Sequence, residues 1–110
     1  MLDLRLYLLQ RLSAMVMAPL VLGHLALIIY AVQGGLSAAE ILGRTQGSVF
    51  WAAYYGLFVL AVSVHAAIGL RVIAAETLGL RGTALRWGTV AVFLTLLLMG
   101  ARAVYAVTVA

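Results

Sequence analysis

Three long stretches almost free of charge constrain this chain more than any other feature. The first runs from about Leu12 to Val32 and the second from about Val49 to Ala75, broken only late by Arg71. The third runs from about Trp87 to Val109, with Arg102 close enough to its end to snorkel to the headgroups. About 20 apolar residues wound as a helix cross the hydrocarbon core of a bilayer, so each stretch is long enough to span. The fold class that follows is all-α: an integral membrane protein of three transmembrane helices, forming one transmembrane domain over residues 1–110.

Composition supports the same class. Of 110 residues 66% are hydrophobic and 9% charged, more apolar surface than a soluble domain of this size can hide. The N-terminal stretch does not read as a cleavable signal peptide. Its apolar run is too long, no small-residue cleavage site follows, and further spans come after it. The chain has no cysteine, which excludes disulfides, an iron–sulfur cluster held within it, and covalent haem attachment through C-x-x-C-H. All seven basic residues are arginine, placed mostly at the ends of apolar runs. The net charge of +4 therefore reports orientation in a membrane, and no basic cluster is long enough to suggest a nucleic-acid partner.

The two connections differ. Residues 33–48 hold Gly34, Gly35, Gly43 and Gly47 and a Ser37-Ala-Ala-Glu40 capping box, which predicts a short surface helix. Glu40 and Arg44 are spaced to pair along it and cancel in charge. The second connection, residues 76–86, carries Arg81 and Arg86 just after Arg71, and the N-terminal stretch carries Arg5 and Arg11. Arginine thus gathers on the side that holds the N-terminus and the second connection. That side is expected in the cytoplasm, with the C-terminus across a bacterial inner membrane in the periplasm.

Two histidines, His24 and His65, lie inside the apolar runs. An ionisable ring at membrane depth is costly unless it faces the bundle interior, so it is a functional suspect, and imidazole is the usual axial ligand of haem iron. In the first span His24 shares a face with Ser13, with Met17 and Leu20 between them, while Arg11 points elsewhere. Pro19 removes a backbone donor about a turn before His24 and is expected to kink the helix there. In the second span His65 shares a face with Phe58, Gly69, Val72 and Glu76, and Gly69 leaves room for a flat macrocycle against the helix. With the spans bounded as above, His24 lies about 18–20 Å and His65 about 14–16 Å from the cytoplasmic ends, an offset of roughly 4 Å. Each feature also has a plainer reading. An intramembrane histidine can serve as a hydrogen bond between helices, Gly69 as packing space, Phe58 and the Met17–Leu20 stripe as core, and Arg71, Arg81 and Arg86 as orientation signals. The residues alone leave both open.

The stretch Gln10-Arg11-Leu-Ser13, then Val64-His65-Ala-Ala-Ile-Gly69-Leu-Arg71 with an acid at Glu76, resembles the membrane-anchor subunits of succinate dehydrogenase and fumarate reductase. The cytochrome b subunit of that family typically opens its first helix with H-R-x-[ST]-G and carries H-x-x-x-G-x-R-x-x-x-x-D in its second. Three spans in about this length and a cytoplasmic N-terminus also match. Gln10 stands where histidine is common, Ala14 where glycine is common, and Glu76 where aspartate is usual.

The resemblance implies a subunit within a larger helical bundle that anchors a flavoprotein subunit and an iron–sulfur subunit, beside a second membrane-anchor subunit. It implies haem b and a quinone as cofactors. His65 matches the haem axial ligand, and His24 matches a first-helix histidine of members with two haems, which makes it a possible ligand of a second haem iron. Arg11 and Arg71 match residues near the haem propionates, and Ser13, Arg11 and Gln10 match the quinone-binding region, where Ser13 is suited to donate to a quinone carbonyl. The implied activity is electron transfer from the iron–sulfur subunit to quinone in a succinate:quinone oxidoreductase. Lacking a flavin motif and cysteines, the chain does none of the dicarboxylate chemistry itself. The two histidines are too tightly spaced for a porphyrin between them, so His65 is expected to pair with a histidine of the second anchor. The rival readings are a haem-free structural anchor of a fumarate reductase-type complex, a stand-alone cytochrome b electron carrier and a small transporter.

Overall fold

The computed structural model describes residues 3–109, and all regular structure among them is helical. Four helices follow in order: α1 (Leu4–Gly34), α2 (Ala38–Thr45), α3 (Val49–Thr77) and α4 (Gly82–Thr108). The three long ones are apolar enough to cross a membrane, as the charge-free stretches predict. The bundle measures 47 × 24 × 23 Å, and its long dimension matches a bilayer with its headgroups, about 40–45 Å.

Two helices start earlier than their apolar runs. α1 begins at Leu4, well before Leu12, and α4 at Gly82, before Trp87. A charge ends a hydrophobic run but not a helix, because arginine is a good helix former. What starts α1 is Asp3, whose carboxylate accepts from Leu6 N–H at 2.9 Å. Pro19 lies inside α1 without ending it.

Ser37 caps α2 as the motif predicts, while the Glu40 carboxylate takes the Ser37 hydroxyl in place of its backbone N–H. Ser37 Oγ accepts from Glu40 N–H at 3.1 Å and donates to Glu40 Oε1 at 2.8 Å. The expected Glu40–Arg44 pair does not form. Arg44 Nη2 instead donates to Gly35 O at 2.8 Å, with its guanidinium over the Tyr30 ring. The end of α1 offers carbonyls without helical partners, and a nearby cation satisfies one of them. Gly35, at φ 120°, is the residue that makes this turn possible: the Glu40 carboxylate occupies the place a Cβ would take.

α3 runs through the middle and packs against both α1 and α4. Its buried residues are Ala61, Ser63, Ala67 and Ile68. Small side chains let backbones approach closely, which is how helices associate in lipid without a hydrophobic drive. Val59 lies where a side chain on Gly100 of α4 would go, and Tyr54 Oη lies 2.7 Å from where a Cβ on Gly23 of α1 would be. The large apolar residues face outward, among them Leu22, Ile29, Leu98 and Met99, where lipid is the solvent. α2 is bolted to the end of α4: Thr45 Oγ1 donates to Val107 O at 2.6 Å and Gly47 N–H to Thr108 O at 2.7 Å.

Candidate functional site

Ser13 and His65 face each other across the α1–α3 interface. Ser13 Oγ lies 3.3 Å from His65 Nδ1 and donates to the Gln10 backbone carbonyl at 2.9 Å. Ser13 is buried and His65 half-buried. A Cβ built on Gly69, one turn beyond His65, would meet Gln10 Nε2 at 3.6 Å, so the glutamine amide lies along the side-chain-free face of α3. Gln10 Oε1 is buried without a hydrogen-bond partner. Gln10, Ser13, His65 and Gly69 therefore form one cluster, built because a stripe on α1 meets a stripe on α3.

His24 lies elsewhere. It meets Phe58 edge-on at 5.3 Å and Tyr55 at 6.0 Å between ring centroids. Its Nδ1 is buried and unpartnered, and it borders cavities of about 330 Å³ and 500 Å³, the first walled by α2, α3 and α4 and the second by α1, α2 and α3. Phe58 and His65 do share the α1-facing side of α3, two turns apart, with Phe58 packed on His24 and His65 on Ser13. The small depth offset expected between the histidines is corrected as well. Measured from Leu4 and Thr77, the true ends of their helices, His24 lies about 30 Å and His65 about 18 Å along, an offset near 12 Å. The smaller figure came from starting α1 at Leu12, after Arg11.

The arginines do not join the His65 cluster. Arg11 turns back along α1, its guanidinium 5.8 Å from the Tyr7 ring centre and Nη1 3.5 Å from Tyr7 Oη. Arg71 is half-buried and borders a cavity of about 200 Å³ between α3 and the start of α4, with Leu80, Leu85 and Gly88. Glu76 is exposed at the end of α3. Sequence reasoning missed the aromatic ladder of Trp51, Tyr54, Tyr55 and Phe58, whose rings touch in succession. Its spacing of three and four residues was the available signal.

The residues suit the groups the resemblance implies. A haem ligand needs an imidazole with one nitrogen held and the other open. His65 Nδ1 is held by Ser13, and Nε2 makes no hydrogen bond among the described residues. No cluster of three or more His, Cys, Asp or Glu exists among the described residues, so a single imidazole, and not a chelating set, is what α3 offers a metal. The orphaned Gln10 Oε1 is an acceptor without a donor, which suits a hydroxyl-bearing ring.

No curated protein and no solved structure matches the chain. One family does, described as the succinate dehydrogenase/fumarate reductase transmembrane subunit, and it matches residues 2–101. With three spanning helices and a match over nearly its whole length, the chain belongs to the succinate dehydrogenase/fumarate reductase transmembrane subunit family.

Proposed function

We propose that this chain is the cytochrome b membrane anchor of a succinate:quinone oxidoreductase, seated in a bacterial inner membrane with its N-terminus in the cytoplasm. The observation that carries this reading is the His65 imidazole, anchored at Nδ1 and open at Nε2 inside an apolar bundle. His65 would hold haem b, which would supply a one-electron carrier. The depth offset between the histidines would keep His24 off an iron held by His65, so a histidine partnering His65 there would come from the other anchor subunit. His24, with cavity space beside it, is the candidate ligand for a second haem.

At the same end of the bundle, Gln10 offers an acceptor to a quinol hydroxyl, and Arg11 and Arg71 stand on the boundary where anionic propionates gain most from cations. The site lies on the side where arginine concentrates, which brings quinone within reach of aqueous protons and of an iron–sulfur subunit docked with its flavoprotein partner.

Reduced-minus-oxidised visible spectra of the assembled complex test this. His65→Ala is expected to diminish the haem α-band, and His65→Ala with His24→Ala to abolish it, while the complex stays together. An unchanged band in the His65→Ala variant overturns the ligand assignment, and a complex without any haem band leaves a structural anchor.

A further inference from the structure

We infer that Ser13 is a positioning residue for His65: its hydroxyl oxygen accepts the Nδ1 proton and so fixes the tautomer that leaves the Nε2 lone pair open. The inference deepens the haem reading above and rests on it for its consequence, though not for its geometry.

A serine hydroxyl has one proton to give. Ser13 Oγ has two neighbours within bonding distance, the Gln10 carbonyl at 2.9 Å and His65 Nδ1 at 3.3 Å. A carbonyl only accepts, so the shorter contact runs in one direction, from Ser13 to Gln10. The proton spent there leaves Ser13 Oγ facing the imidazole with lone pairs, and only a protonated Nδ1 can complete that contact. Turning the hydroxyl toward Nδ1 instead would break the shorter bond in a place where water does not replace it, since Ser13 is 7% exposed. The neutral ring carries one N–H, so protonation at Nδ1 leaves Nε2 bare. Metal-bound histidines depend on such an outer partner for tautomer and orientation.

One further consequence follows. With its proton committed to Gln10, Ser13 has none for a quinone carbonyl, the role that resemblance assigns it. The same one-turn reach back to a carbonyl is open to threonine, which supplies a conservative variant.

The experiment uses the full-length chain in lipid nanodiscs, labelled with 15N-histidine. His24→Gln assigns the two rings. Before haem is added, the His65 proton is expected on Nδ1 in the unmodified chain and in Ser13→Thr, and shifted toward Nε2 in Ser13→Ala. Titration of haem b into the complex is then expected to show affinity about 10- to 100-fold weaker for Ser13→Ala, restored by Ser13→Thr. A proton on Nε2 in the unmodified chain, or a Ser13→Ala variant with unchanged tautomer and affinity, overturns the proposal. The haem reading fails separately, through a haem band left unchanged by His65→Ala.

Discussion

Tyr54 shows how much one hydroxyl can fix. It donates to the backbone carbonyl of Leu20 at 2.6 Å, and Gly23 leaves the space it passes through. This bond ties α1 to α3 in the register at which Ser13 meets His65. Interhelical bonds in membranes average about 0.6 kcal/mol and reach roughly 1.7. Tyr54→Phe is therefore expected to cost about 1 kcal/mol of resistance to denaturing detergent, measured by loss of helical circular dichroism. Gly23→Ala is expected to cost more, since its methyl collides with Oη at 2.7 Å and evicts the bond as well. A Gly23→Ala chain as stable as the parent would show that the contact is idle. None of this was readable in the sequence, because Tyr54 bonds a backbone group and a backbone carbonyl has no letter of its own. Ser13 and His65 were each singled out, and each on the correct stripe. Their mutual contact depended on register, which the sequence left open.

Among the elements, α2 depends most on neighbours far away in the chain. Eight residues form a helix only marginally alone, so its two bonds to α4 do much of the holding. Thr45→Val removes the 2.6 Å bond to Val107 while leaving Gly47 N–H on Thr108. The expected result is faster amide exchange across α2, about 5- to 10-fold for a loss near 1 kcal/mol, with exchange in the middle of α3 unchanged. At the α3–α4 contact, Gly100→Ala is expected to destabilise by about 1–3 kcal/mol as overpacking against Val59, and Val59→Ala in the same chain should recover most of it. Periodicity and capping residues made the elements legible: Ser37 and Glu40 announced α2, and the charge-free runs announced the spans. The starts of α1 and α4 were not, since Arg5, Arg11 and Arg86 mark where lipid contact ends and say nothing of where helical hydrogen bonding does.

At the scale of the molecule, orientation is open to direct test because the chain has no cysteine. Leu36 and Leu80 lie in the connections at opposite ends of the bundle and are both exposed. In intact cells Leu36→Cys is expected to react with a membrane-impermeant maleimide, and Leu80→Cys only after the membrane is opened. The reverse pattern would invert the topology and move the Gln10–His65 cluster to the other face. A last consequence comes from α2. α1 and α4 flank α3 and barely touch each other, yet α2 grips both, through Arg44 on Gly35 and Thr45 on Val107. It bridges them beside the crevice that His24 borders, with Ile41 and Thr45 forming part of the wall. Two long helices that hardly meet are thus held together by one eight-residue element.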